Sequence, residues 1–502
     1  MTTSSTFEPH VAPPRKTALP AAVPAEVVID DDATPSGGLA LLGIIGLGLA
    51  IRLAFFAAMY HASGSMMAAH TTNGTAMYLR PAQALFHTGA LTVDGAPEIL
   101  HPPGYAFFLQ AGLWTGHVEG VTLALQLLLA AGTMWLVYDI TLTWTERRGA
   151  ALAATLLAAI EPMSIVFCCL LMTETLFTFL FVLSLQRLMR YFRTSELVPL
   201  AQAALMLAMA TFVRPVSYYL PTVLAAFVAG RLVWQRAGTL RALGHAGLFW
   251  LVSMAPLIAW QARNYSETGY SGFAAIADLN LYFFHGASVL AHERGQPMDV
   301  VQTDLGLSSR ERFEELHPDL PPADQGAKFR FMHAEGVRLV RSDPLAFAKT
   351  YLRGIAVLLL NPGASEMLDA LRSYPTDRPA RPVNLGLLGI AKQMHDTAPR
   401  LFYSNLVLLA GLGVTYLTAA CGLLSQLRRV SWRLVSLVTA VLYLLAVSGG
   451  TQSVTRLRHP VMPLVIVLSG IGIAQLAAWR QRRRSAQGPA NQPATIPHRA
   501  AA

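Results

Sequence analysis

Residues 37–60, GGLALLGIIGLGLAIRLAFFAAMY, form an apolar run of about 24 residues with one charge, Arg52. A helix of this length crosses a hydrocarbon core of ~30 Å with some tilt. Nine further apolar segments follow, near residues 119–140, 149–170, 173–190, 198–213, 216–234, 244–262, 402–424, 432–449 and 460–479. Together they predict about ten transmembrane helices. Composition agrees, with 53% hydrophobic and only 13% charged residues across the 502, roughly half the ~25% charge of a soluble domain. The expected fold class is an all-α polytopic integral membrane protein. An ordinary soluble enzyme is excluded, because a water-facing surface needs more polar cover.

The net charge of +9 is an orientation code. With an even number of spans the termini share one face, and the short connections on that face carry Arg147-Arg148, then Arg187, Arg190 and Arg193, then Arg231, Arg236 and Arg241, then Arg428, Arg429 and Arg433, and finally Arg480 with Arg482-Arg483-Arg484. Lys and Arg concentrate in cytoplasmic loops, so both termini are expected in the cytoplasm of an inner-membrane protein. Nucleic acid is not expected as a partner, since no basic stripe with interleaved aromatics is present. Cys168, Cys169 and Cys421 lie in apolar runs and offer neither a disulfide framework nor a metal motif.

The chain divides accordingly. Residues 1–36, rich in Pro, Ala, Thr and Ser, read as a disordered cytoplasmic tail; 37–262 as a transmembrane module with a first outer loop at 61–118; 263–401 as an outer region; 402–479 as the closing spans; and 480–502 as a basic disordered tail. Within the outer region, Gln325 to Arg341 has amphipathic spacing. Leu345 to Leu360 holds Lys349 and Arg353 and is short for a span, so it reads as an interfacial helix. Were it to cross, Val383 to Met394 is the weak segment left to cross back, giving twelve spans in place of ten.

Polar residues gather at the outer ends of the spans: Asp94, Glu98 and His101 in the first loop, Glu161 and Glu174 around the turn between the third and fourth spans, Arg214 in Phe-Val-Arg-Pro, Arg263-Asn264, and Arg456, Arg458 and His459. Ionisable groups at membrane depth are costly unless they line a cavity or find a partner. A loop-end arginine also serves as an interfacial anchor, and Glu174 as a helix N-terminal acid. Carboxylate or imidazole with arginine suits displacement at a carbon bearing a phosphate leaving group: one takes a proton from the acceptor hydroxyl, the others stabilise the phosphate. No P-loop, Gly-x-Gly-x-x-Gly or Gly-x-Ser-x-Gly motif is present, so no nucleotide site and no hydrolase elbow is read. No close metal-ligand spacing occurs either, which leaves a cofactor, including a divalent cation, unassigned.

Several segments in order resemble the GT-C membrane glycosyltransferases, in the bacterial branch related to protein O-mannosyltransferases and lipid A aminoarabinose transferases. Tyr78-Leu79 through Ala84-Leu85 with Gly89 resembles the first-loop pattern, and His101-Pro102-Pro103 the basic-Pro-Pro segment. Thr173-Glu174, Arg214-Pro215 and Arg263-Asn264 resemble the acidic, Arg-Pro and Arg-Asn span ends, and Thr455-Arg456-Leu457-Arg458-His459-Pro460 with Pro463 the entry to the last span. The resemblance implies an inverting transferase acting at the outer face of the inner membrane. Its donor is a polyprenyl-phosphate-linked sugar and its acceptor a glycan, lipid or protein. The candidate roles are then Glu174, His101, Asp94 and Glu98 as catalytic groups, Asn73 and Tyr78 on the acceptor side of the first loop, and Arg456, Arg458, Arg214 and Arg263 on the lipid phosphate. The chain departs from the family where a catalytic Asp stands four residues before the first-loop Tyr: here that residue is Gly74. A transporter or flippase of a lipid-linked or anionic substrate and a non-catalytic relative are the competing readings.

Overall fold

The computed structural model describes residues 36–71, 74–372, 387–452 and 454–487. All ten apolar segments are helical. The first span is α1, Ser36–Ser63, and its one arginine finds acceptors inside the bundle: Arg52 Nη1 donates to Gly48 O and Ala159 O at 2.9 Å, and Nη2 to Ser164 Oγ at 2.6 Å. The first loop then folds as α2, Gly74–Thr88, a hairpin of β1 (Thr92–Val93) and β2 (Ala96–Pro97), and α3, Gly104–Thr115. In the hairpin Thr92 pairs with Pro97 and Val93 with Ala96. Its two turn residues, Asp94 and Gly95, both have positive φ, 51° and 80°, as a type I′ Asp-Gly turn demands.

The bundle continues through α4 (Val118–Thr145), α5 (Arg148–Ala159), α6 (Pro162–Cys168), α7 (Glu174–Thr194), α8 (Leu197–Val213), α9 (Leu220–Trp234) and α10 (Thr239–Thr268). The segment read as one span over 149–170 is a broken one: α5 and α6 meet at 54°. Glu161 caps α6 by accepting from Ser164 N, and Pro162 supplies the first helical position.

The described residues that follow α10 are largely helical as well. They comprise α11 (Ile276–Asn280), which runs into a π-helical turn at Leu281–Gly286, then α12 (Ala287–Arg294), α13 (Met298–Asp304), α14 (Arg310–Leu316) and α15 (Gln325–Ser342). Tyr270, Tyr282, Phe283, Phe313, Phe329, Met332 and Leu339 close a small core there, joined by Ile99 of the first loop. Backbone bonds reinforce that joint, from Ala275 N to Ile99 O at 2.9 Å and from Ile276 N to Leu100 O at 3.1 Å. The amphipathic stretch is thus α15, and the segment read as interfacial is α16, Pro344–Leu360, capped by Asp343. Short helices α17 (Ala364–Ala370) and α18 (Leu387–Thr397) follow. At 11 residues α18 is far below spanning length.

The closing elements are α19 (Pro399–Gln426), α20 (Trp432–Ser448), α21 (Thr455–Arg458) and α22 (Met462–Gln487). α19 and α22 approach backbone to backbone: a Cβ on Gly422 would sit 2.0 Å from Leu468 O, and one on Gly472 2.0 Å from Thr418 O. Small residues at such a crossing are the usual means of bringing membrane helices this close.

Among the described residues six helices are long and apolar enough to cross a membrane, seven when the bent pair counts as one span. The rest of the ten fall short for identifiable reasons: α8 and α20 have 17 residues each, and α7 begins on a charge and ends in arginines. The reading of residues 1–36 falls outside the described residues except for Ser36, which opens α1. The basic segment from residue 480 begins as the last turns of α22 and leaves the described residues after Gln487.

Candidate active site

The chain leaves α6, turns through residues 169–173 and re-enters the bundle as α7 with Glu174 in its first turn. This turn is held from the first loop: Leu171 N donates to Ala69 O at 2.9 Å, and Thr75 Oγ1 to Leu171 O at 3.3 Å. Glu174 is fully buried. A helix N-terminus favours an acid, but a buried carboxylate also needs a cation to offset its desolvation. Two supply it from distant parts of the chain. Arg214 Nη1 donates to Glu174 Oε1 at 2.7 Å, and Arg456 Nε lies 3.2 Å from the same oxygen. Thr173 Oγ1 donates to Oε2 at 3.4 Å.

Arg214 stands where α8 has to stop. The residue before a proline is driven to extended backbone, and Arg214 has φ −142° and ψ 124° ahead of Pro215. Its guanidinium is buried, 5.9 Å from the centroid of Phe177. Arg456 differs, because its side chain keeps 36% of its exposure while the carboxylate that holds it keeps none. Glu174 anchors, Arg214 is sealed, and Arg456 stays partly exposed. A second tie, 3.1 Å between Thr178 Oγ1 and His459 Nδ1, lies one helical turn along α7 and fixes the segment that carries Arg456.

The first loop closes the site from the other side. Tyr78 of α2 sits beside Arg456, 5.0 Å ring to ring from His101 and 5.4 Å edge-on from Tyr105. Tyr105 donates to Gln126 Oε1 at 3.1 Å, and Gln126 Nε2 donates to Cys168 O and Leu170 O at 2.9 Å, bracing the turn that presents Glu174. His101 N donates to Glu98 Oε1 at 2.7 Å, so Glu98 shapes the loop through its carboxylate. Burial, and then the charge of Arg456, lowers His101 to about 4, which leaves the imidazole neutral near pH 7. Burial raises the Glu98 carboxyl, against the pull of the His101 and Leu100 amides.

Tyr78, His101, Glu174, Arg214 and Arg456 therefore converge, with Glu98 directly behind His101. Other sequence candidates lie elsewhere. Asp94 is a correction: it occupies the exposed tip of the hairpin, 3.8 Å from Arg80, because the Asp-Gly turn places it there. Arg458 is a second, since its Nη1 donates to Leu358 O and Leu359 O at 3.1 Å and to Asn361 O at 2.6 Å, capping the C-terminal end of α16. Arg263 is a third. Its Nη1 donates to Glu98 O at 2.8 Å and its guanidinium lies over Trp260, so it ties α10 to the first loop. Asn73 lies outside the described residues.

Gly74, where the family resemblance calls for an acid, has no room for one. A Cβ there would lie 2.5 Å from Thr71 Oγ1 and 2.8 Å from Met172 Sδ. Thr71 Oγ1 accepts from Gly74 N and Thr75 N, and Thr75 Oγ1 accepts from Thr71 N, all at 3.0 Å, a reciprocal cap that fills the space. Sequence reading missed Gln126, although a lone amide inside a long apolar helix is itself a signal. Among the described residues no group of three His, Cys, Asp or Glu side chains is placed to hold a metal ion.

No protein family and no curated protein matches the sequence. Among solved structures, the fold is similar to the archaeal oligosaccharyltransferase AglB from Archaeoglobus fulgidus, solved with an inhibitory peptide and a dolichol-phosphate (TM-score 0.44, 12% identity, 89% of this chain). The chain spans 52% of that protein's length. It is also similar to ArnT from Cupriavidus metallidurans bound to undecaprenyl phosphate, at TM-score 0.34 and 13% identity over 90% of this chain and 82% of the other.

Proposed function

We propose that this chain is a membrane glycosyltransferase that moves a sugar from a polyprenyl-phosphate donor to an acceptor hydroxyl, with inversion, at the outer face of the inner membrane. The observation that carries the reading is the pair of guanidinium groups on one buried carboxylate, with Arg456 still partly open. Two positive charges against one negative leave an excess that an anionic ligand can satisfy. A lipid phosphate satisfies it best when it leaves, because breaking the sugar–phosphate bond turns a singly charged diester into a doubly charged monoester. Charges fixed before the reaction stabilise that gain without reorganising. Glu174 serves by holding the arginines in place, and neutral His101 with Tyr78 offers hydrogen bonds to the sugar or the phosphate.

Both termini are assigned to the cytoplasm by the arginine distribution. The site residues at the opposite ends of the spans then face outward, where a donor anchored by its lipid reaches them from the bilayer. The test is transfer of a labelled sugar from synthetic polyprenyl-phosphate donors by the purified protein in lipid nanodiscs. Transfer by the wild type and its loss in Arg456→Ala is expected. Undiminished transfer by Arg456→Ala would refute this site.

A further inference from the structure

Arg456 is presented by a very short piece of helix. α21 has four residues, too few to hold a direction of its own, so the contacts on either side of Arg456 set where its guanidinium lies.

Those contacts converge on the end of α16 and the start of α17. On the C-terminal side, Arg458 Nη1 donates to Leu358 O, Leu359 O and Asn361 O. On the N-terminal side, Thr455 is fully buried, and its Oγ1 donates to Oε1 of Glu366 in the first turn of α17. A buried hydroxyl needs an acceptor, and an ionised carboxylate is a strong one. The loop that leaves α20 is gripped as well. Thr451 Oγ1 donates to Phe284 O at 2.8 Å, and Gly354 of α16 makes room for Gly450 O, which a Cβ at 354 would overlap. Arg456 is thus bracketed by two ties to one stretch of chain, residues 358–366.

Glu366 is firmly seated in turn. Ser365 Oγ donates to its Oε2 at 2.7 Å, so each carboxylate oxygen has a donor. Met367, the next residue, packs on the main core of the bundle, as do Ala370 and Leu371. α17 reaches that place through Gly363, which has φ 88° and passes so near α6 that a Cβ would lie 2.5 Å from Met163 Sδ. The carboxylate is therefore anchored to the bundle independently of the segment it holds.

Resting on the transfer reading above, we propose that Glu366 is a positioning residue: through Thr455 it fixes α21, and so holds the Arg456 guanidinium where the lipid phosphate of donor and product binds. Glu366 touches neither sugar nor phosphate in this role. Without its bond to Thr455 the upstream hold retreats to Thr451, and α21 pivots about the ties made by Arg458 and His459.

The experiment measures binding of sugar-free polyprenyl phosphate, and steady-state sugar transfer, by the full chain in nanodiscs. The wild type is compared with Glu366→Ala, Glu366→Gln, Thr455→Val, the double variant Glu366→Ala with Thr455→Val, and Arg456→Ala. Glu366→Ala and Thr455→Val are each expected to weaken binding and raise donor KM about tenfold, the scale on which a misplaced positioning group acts. The double variant is expected to match the singles, because all three lose the same bond. Glu366→Gln keeps an acceptor oxygen for Thr455 and is expected to bind within about twofold of the wild type. A role limited to stability would lower the unfolding midpoint of Glu366→Ala and leave binding by the folded protein unchanged. That result, additive losses in the double variant, or no recovery with glutamine overturns the assignment of Glu366, while weakened binding by Arg456→Ala keeps the phosphate site. If Arg456→Ala binds polyprenyl phosphate as tightly as the wild type, the phosphate site falls and the positioning role falls with it.

Discussion

The two arginines on Glu174 should separate stability from activity. Arg214 is buried on both sides of its bond to the carboxylate, at 2.7 Å. A charge-assisted hydrogen bond contributes about 1.5–3 kcal/mol, and removing one member of a buried pair costs about 3–5 kcal/mol, because the survivor is left desolvated. Arg456 bonds the same oxygen at 3.2 Å from a side chain with over a third of its surface exposed, so its share is screened and falls to about 1 kcal/mol. Arg214→Ala is therefore expected to lose about 3 kcal/mol or more and Arg456→Ala about 1 kcal/mol. Activity should follow a different order, with Arg456→Ala losing transfer while still folded. The double replacement Glu174→Leu with Arg214→Met should recover most of the stability, since apolar residues of similar volume often replace a buried pair without cost, yet stay inactive. The assay is the unfolding midpoint of each variant in one detergent, set beside its rate of sugar transfer. Equal destabilisation by the two single variants would refute the division of labour between them.

Two other outcomes follow from the site. The folded value of His101, about 4, lies below its ordinary 6.5, so the unfolded chain binds a proton that the folded chain refuses between those values. The resulting stability is fully present above pH 6.5 and is lost as pH falls toward 4, about 3 kcal/mol in all; His101→Gln should flatten that slope in unfolding measured from pH 7 to pH 4. Gly74→Asp should not supply a working base, because its Cβ meets Thr71 and Met172; a loss of about 1–3 kcal/mol in unfolding and no rise in transfer rate are expected.

The helices were legible because long apolar runs have few other solutions in a membrane. The meeting of Glu174, Arg214 and Arg456 was legible as well, since each stands at a span end on one face. What could not be read was which way a side chain turns. Arg456 and Arg458 share a motif, but on the short helix α21 residues two apart point about 160° away from each other. One faces Glu174 and the other caps α16. Asp94 shows the opposite case: its Asp-Gly turn was visible in the sequence and already implied a hairpin tip.

The order in which the site's members are made has a consequence for its assembly. Tyr78, His101, Glu174 and Arg214 are all synthesised in the first half of the chain, and Glu174 can pair with Arg214 as soon as α8 has entered the bilayer. Arg456 emerges only with the final span, and domains and segments settle in the order they leave the ribosome. A nascent chain thus holds a neutral, closed carboxylate–arginine pair while the stretch between Arg214 and Arg456, about half of the sequence, is made. The positive excess that would attract a lipid phosphate arises only when α21 delivers the second guanidinium.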